Sequence, residues 1–481
     1  MSRSALCVLL VLVGCAPKPV PPPPPVVAVE VPDPLAARPA IGAPVDFAPP
    51  APEVATLSNH AGLWVINRPA LPLVSVVLHV PGGSALDPVG HPGAAWLSDR
   101  LMTQGAGKLD ARAFAETAER LGIELSASTD LDGSQITASM KKDQLEAALG
   151  LVADMVLHPN WGVPDFKRER ELAVGELTQA LQEPPTVAAR TALTLWYGKN
   201  NPWGHPAEGT VKGMGQVTVK DVQRYHTQVW NAAGATFTVA GDITLAEAQS
   251  ALESHLGKAW VASKPAGVAV IAAPLYTDRP VYVVDSPGAA QTMFYLEFPG
   301  RPAGDARLPA LRTGTIALGG TFTSRLNALL REKRGYTYGV KARTLPRHGD
   351  GSVVVSSRIR TDVTGPALSD LLGELKSIQL GISEEELGKA RGAYKQDQVE
   401  AMESVAGVAS TFSTYQIGGF GPGQFAGDLV AMGKVTGDAV KAEMAAYDWK
   451  HALVVLVGDR AKIEPGLTAA GVTKIEVVEP G

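Results

Sequence analysis

From about Leu57 onward the chain alternates short apolar runs with helical patterns. Leu73 to Val80 (LVSVVLHV) is rich in β-branched residues and ends at Pro81-Gly82-Gly83, which reads as a strand followed by a turn. Apolar positions at helical spacing then cover Ala94–Met102, Asp110–Leu121 and Lys142–Val156. Another helix is predicted from Asp165 to about Leu181. It stops before Pro184-Pro185, because a residue that precedes proline is turned away from the α region. Ala235–Ala240 (ATFTVA) reads as a strand closing on Gly241-Asp242.

The second half repeats this plan. Thr292–Phe298 (TMFYLEF) is a predicted strand ending at Pro299-Gly300, and Leu453–Val457 (LVVLV) is one ending at Gly458-Asp459. Almost the same length of chain separates Gly82 from Gly241 as separates Gly300 from Gly458. The pattern predicts an α+β fold of two duplicated domains, each an antiparallel-rich sheet packed with helices. The expected boundaries are 53–257 and 281–481, with a linker at 258–280 that contains Lys264-Pro265 and Pro274. Ser383-Glu-Glu-Glu386 has the form of a capping box opening a long helix in the second half.

Composition narrows the function classes. A chain of 481 residues is too long for one ordinary core. A net charge of -5 supplies no basic footprint for nucleic acid. Both cysteines, Cys7 and Cys15, fall in the first fifteen residues, so thiolate catalysis, disulfides and Cys-ligated zinc are excluded from the folded body. Residues 1–15 combine a positive start, a compact apolar run and Leu12-Val-Gly-Cys15, which resembles a bacterial lipobox. Cleavage before Cys15 would leave its thiol for lipid attachment. An ordinary secretory signal with an incidental cysteine is the alternative. The stretch 16–52, with Pro21-Pro-Pro-Pro-Pro25, is expected to be an extended tether. Ala16 after the cysteine, by resemblance to Gram-negative lipoproteins, implies a cell-envelope protein in the outer membrane, facing the periplasm.

One stretch carries more specific chemistry: Ala317 to Val340, ALGGTFTSRLNALLREKRGYTYGV. Gly319-Gly320 precedes an expected helix bearing Arg325, Leu326, Leu329, Leu330 and Arg331, which ends near Gly335 before a strand with Tyr338. This stretch resembles the second-half signature of the pitrilysin/insulinase family of zinc metallopeptidases. Gly83-Ser-Ala-Leu-Asp87-Pro88 and Asn201-Pro-Trp-Gly-His205-Pro match further landmarks of the family in the same order. The resemblance implies that Arg331 and Tyr338 bind substrate, donating hydrogen bonds to a peptide near its scissile carbonyl. Taken as residues alone, they are equally a solvated helix charge and a half-buried strand aromatic. Tyr336 is close enough to be confused with Tyr338, and spacing alone favours the latter.

Active members of the family carry H-x-x-E-H on the helix after the first Pro-Gly turn, where two histidines one turn apart converge on zinc. Here the family pattern lays its histidines on Trp96 and Arg100 and its glutamate on Asp99. Trp is no zinc ligand, and a guanidinium has no free lone pair. None of the nine histidines stands four residues from another, so the motif has not moved. His91, in a turn just before the helix, reads as a surface residue. The resemblance places the remaining ligand glutamate roughly 76 residues beyond Arg100, at Glu176, with Glu169 before it. The two read as a degenerate zinc site in which Arg100 pairs with Glu176, or else as a charged helix face.

Some members of the family divide the work between two chains, one bearing H-x-x-E-H and the other keeping only the arginine and tyrosine. The expectation is therefore a non-catalytic, lipid-anchored subunit with no metal or cofactor of its own, binding a peptide substrate beside a zinc-bearing homologous partner. The alternative is an inactive peptide-binding or assembly protein that uses the same fold without a peptidase partner. No constellation for an autonomous enzyme with a different site is present.

Overall fold

The computed structural model describes residues 47–264, 280–446 and 451–480. Cys15 and the signal segment, most of the proline-rich stretch and 265–279 of the inter-half linker lie outside them. Ala48–Gly481 forms one compact unit that carries both halves.

The first half builds a six-stranded sheet from β1 (Glu53–Thr56), β2 (Gly62–Asn67), β3 (Leu73–Pro81), β4 (Glu124–Thr129), β5 (Gly133–Lys141) and β6 (Thr236–Gly241). Their order is β1-β2-β6-β3-β5-β4. The second half uses β7 (Val281–Asp285), β8 (Gln291–Pro299), β9 (Thr337–Pro346), β10 (Gly351–Arg360), β11 (Leu453–Gly458) and β12 (Ile475–Val477) in the order β9-β10-β8-β11-β7-β12. In the first sheet β6 enters beside β2, parallel to it, and in the second β11 enters beside β7 in the same way, while each pairs antiparallel on its other side, with β3 or β8. The duplication extends from landmarks to topology. The halves differ at one edge, where β1 pairs antiparallel with β2 but β12 pairs parallel with β7.

β3 and β8 are buried almost from end to end, with no inside-outside alternation. A strand reads this way when both sheet faces are covered. One face of each sheet packs on helices of its own half around a separate core. The other face is covered by the opposite half. After α1 (Ala94–Met102) and α2 (Val163–Ala180), the helix α3 (Pro184–Tyr197) leaves its own sheet. Val187, Ala188, Ala192 and Trp196 of α3 pack with Met293, Tyr295, Leu453 and Val455 of β8 and β11. Pro184-Pro185, expected as a stop, is also a start: at the first helical turn proline gives up a donor that has no partner anyway.

The second half reciprocates. After α4 (Leu308–Thr315), the helix α5 (Val405–Ile417) lies against β3 and β6 of the first sheet. Gln416 there accepts a hydrogen bond from Thr238 of β6 at 2.7 Å. The capping box expected at Ser383 and Glu386 is present, opening helix Glu384–Glu400. Lys258 to Lys264, taken from sequence as linker, begins with the first half: Trp260 is buried there and its indole donates to the Trp230 carbonyl. Among the described residues no helix is long and apolar enough to cross a membrane.

Candidate functional site

α1 is set by the turn before it. Asp87 accepts from the backbone N–H of Gly93 at 2.6 Å and of Ala95 at 2.7 Å, so its carboxylate satisfies the open donors at the helix start. That gives the Asp87-Pro88 landmark a physical role. His91, in the same turn, contacts Asp221 at 2.7 Å. Asp221 also closes the capping box of helix Val219–Val229, which packs on α1.

α1 and α2 bring Trp96, Arg100, Glu169 and Glu176 together. Arg100 Nε donates to Glu169 Oε2 at 2.6 Å. Its Nη1 and Nη2 meet both oxygens of Glu176 at 2.7 and 3.0 Å, a bidentate pair. The Arg100 guanidinium also lies 5.1 Å from the centroid of the Trp96 ring, within cation–π range. The other Glu169 oxygen accepts from Arg168 at 3.2 Å. All four carboxylate oxygens are thus engaged by guanidinium groups. The hydrogen bonds of Glu176, then those of Glu169, raise the already high pKa of Arg100, so this cation stays charged.

Asp99 does not join this cluster. It is buried, and accepts from the Trp230 indole at 2.9 Å and from the Thr129 hydroxyl. Burial pushes its carboxyl up to about 7 against those hydrogen bonds. Withdrawn from solvent and with both oxygens occupied, it has no route to a water molecule. Its place in the register is that of the family's glutamate, but its contacts are those of a buried structural polar group.

Zinc does not fit here. Two of the expected ligand positions offer no lone pair, the remaining carboxylates are saturated, and a fixed cation stands between them. Among the described residues no group of three or more His, Cys, Asp or Glu side chains converges to hold a metal.

Among the described residues no hydrogen bond or ion pair joins Arg331 or Tyr338 to the α1–α2 cluster. Arg331 lies in the π-helical turn Asn327–Lys333, with its guanidinium 4.0 Å from the centroid of the exposed Phe322 ring and 3.3 Å from Glu332. Tyr338, at the start of β9, is 90% exposed. Tyr336 packs against the second core instead, and the register of β9 breaks between Thr337 and Val340. The two tyrosines are therefore not equivalent positions on one regular strand face. Only Tyr338 is free to meet another molecule.

The residue that fastens this region was missed in the sequence. Asn327, buried, accepts from the Val340 N–H at 2.8 Å and donates to the Val340 carbonyl and the Thr321 carbonyl, both at 2.9 Å. Its side chain thus ties the turn carrying Arg331 to the strand carrying Tyr338. Arg325 anchors the same turn from outside through Glu386 and the Gly381 carbonyl. Its hydrogen bonds hold the Glu386 carboxyl at about 2. A polar residue on a mostly apolar helical face was the only signal available for Asn327.

Comparison with known proteins fits this geometry. Residues 64–210 match the insulinase (peptidase family M16) domain, and residues 216–394 match the peptidase M16 inactive domain. The chain belongs to the insulinase family. Relatives in it include an uncharacterized zinc protease of Mycobacterium leprae, 27% identical over 283 residues, which are 58% of this chain and 63% of that protein. Another of Mycobacterium bovis is 26% identical over 347 residues, 71% of this chain and 78% of the relative. Among solved structures, a peptidase M16 inactive domain from Pseudomonas fluorescens superposes with a TM-score of 0.76 at 21% identity, covering 85% of this chain and 98% of the other. A protease from Helicobacter pylori gives 0.79 at 18% identity, covering 85% and 99%. These likenesses establish the insulinase fold; the family's zinc chemistry is what the residues at Trp96 and Arg100 do not fit.

Two outcomes follow for the chain by itself. Burial raises both Asp99 and Asp87 to about 7 in the folded state, far above an unfolded aspartate near 4. The folded form then binds protons that the unfolded form has released, so stability should fall as pH rises from about 4 to about 7. In urea titrations across that window Asp99→Asn should flatten the slope; an unchanged slope would remove Asp99 as its source. Asn327→Ala leaves the Val340 N–H and C=O without their partners and should cost about 1–3 kcal/mol, read from the urea midpoint.

Proposed function

We propose that this chain is the non-catalytic, substrate-orienting subunit of a two-chain zinc peptidase of the insulinase family. The observation that carries the reading is the Arg100 guanidinium, fixed between Glu169 and Glu176 where a metal would need free lone pairs. Family membership supports the peptidase context. The exposure of Tyr338 and the partial exposure of Arg331, held in register by Asn327, support a binding role for the pair. In this reading the partner supplies zinc and the general base. Arg331 and Tyr338 donate hydrogen bonds to the peptide, placing its carbonyl and countering negative charge as it develops on oxygen. The chain is lipid-anchored through Cys15, which localises the complex to the cell envelope, on the periplasmic side of the outer membrane.

Co-expression with an H-x-x-E-H homologue tests the first part. The pair of chains should cleave peptides where this chain alone does not, and Arg331→Ala or Tyr338→Phe should lower kcat/KM of the complex by about 10–100-fold. Full activity in both variants would sink the proposed role. For the anchor, labelled palmitate should enter the wild-type chain and not Cys15→Ser; equal labelling would exclude Cys15 as the attachment point.

A further inference from the structure

Three arginines lie on or beside the turn that carries the proposed binding pair, and two of them are fully engaged by acids. Arg325 meets both oxygens of Glu386 and the Gly381 carbonyl. Arg334 meets both oxygens of Asp370, at 2.9 and 3.1 Å. Arg331 is held differently. Its Nε lies 3.3 Å from Glu332 Oε1, and its guanidinium carbon sits over the Phe322 ring, 4.0 Å from the centroid. That is well inside the roughly 6 Å range of cation–π attraction, and a planar guanidinium suits a flat ring face. Among the described residues neither Nη1 nor Nη2 of Arg331 donates a hydrogen bond. One edge of the cation is engaged and a ring lies against it, while the two terminal nitrogens remain available to an oxygen acceptor.

The ring is placed by backbone chemistry rather than by the core. Phe322 and Thr323 are the central residues of a turn that runs from Thr321 to Ser324. The Thr321 carbonyl closes this turn. It accepts from the Ser324 N–H at 3.2 Å, from the Ser324 hydroxyl at 2.7 Å and from the Asn327 amide at 2.9 Å. Phe322 itself stays 60% exposed and does not join the second core. Asn327 therefore serves both sides: the amide that reaches Val340 also fixes the turn that presents the ring. An arginine on a helix surface ordinarily samples many rotamers, and freezing them on binding costs affinity. A ring against the guanidinium removes part of that freedom before any ligand arrives.

We infer that Phe322 is a positioning residue, whose ring holds the Arg331 guanidinium in place and leaves Nη1 and Nη2 for the substrate oxygen. This role rests on the function proposed above for Arg331 and adds to it a residue that acts through the arginine. Phe322 needs no contact with the peptide.

The test has one arm on the free chain and one on the complex. In the free chain, phenylglyoxal modifies arginines, and mass spectrometry reads the rate at Arg331, normalised to that at exposed Arg343. Phe322→Ala should raise that rate about fivefold, while Phe322→Tyr, which keeps a ring face, should leave it unchanged. In the complex with the H-x-x-E-H homologue, Phe322→Ala should lower kcat/KM about fivefold and Phe322→Tyr should keep it near wild type. Adding Phe322→Ala to Arg331→Ala should cause no further loss, because the ring acts only through the guanidinium.

An unchanged modification rate or full activity in Phe322→Ala would overturn the inference, provided that Arg331→Ala is impaired. So would an equal loss in Phe322→Tyr, or an additive loss in the double variant. Each of these leaves the function proposed for Arg331 standing. Full activity in Arg331→Ala would instead remove that function, and the role of Phe322 with it. Phe322 is exposed, so Phe322→Ala is expected to fold. Should circular dichroism show otherwise, Phe322→Leu, which keeps apolar bulk without a π face, decides the activity outcomes.

Discussion

The exchange of helices between the halves is the constraint on which the architecture depends. α3 leaves the first half to cover β8 and β11, and α5 leaves the second to cover β3 and β6. A sheet whose strands are apolar on both faces cannot remain half bare, because each exposed strand would keep a large apolar area in water. Neither half is complete without the other. This explains why Ala48–Gly481 forms one compact unit although its topology is duplicated.

Within that frame the residues at the family's zinc positions satisfy one another. Two glutamates two turns apart on the same face of α2 would repel with no cation between them. Arg100 supplies the cation covalently. It engages both carboxylates and lies over the ring of Trp96, the other substituted position. Asp99 completes the change by turning to Trp230 and Thr129 and becoming a structural contact between α1 and its neighbours. In the second half Arg331 and Tyr338 are placed differently. Asn327 and Arg325 hold the turn from inside and outside, leaving Tyr338 exposed at the strand start.

Much of this was legible in the chain. The central strands β3, β6, β8 and β11 follow from their β-branched runs and Pro-Gly or Gly-Asp ends, and α1 from its apolar spacing. The register that pairs Arg100 with Glu176 could be read because it depends on family spacing and on complementary charge. What was less legible depended on distant partners. α3 looked like the region after a helix stop, because its apolar face matches a sheet that starts roughly 90 residues later. Asn327 looked like an ordinary polar residue, since its partner Val340 is reached only when the turn folds back on the strand. Asp99 was legible as a carboxylate at a given place in the register, but its burial and its choice of Trp230 were not.

The sequence by itself therefore determined the local elements, the duplication, the family, and the loss of zinc ligands at Trp96 and Arg100. These rest on residue type and on spacing along the chain, which need no third dimension. Only the tertiary structure decided where side chains point and what closes over them. It set the guanidinium between two carboxylates, sent Asp99 into the core, and separated exposed Tyr338 from packed Tyr336. Each of those outcomes is a contact between segments far apart in the chain. Such contacts are fixed by how the two sheets share their helices, which no local pattern of residues records.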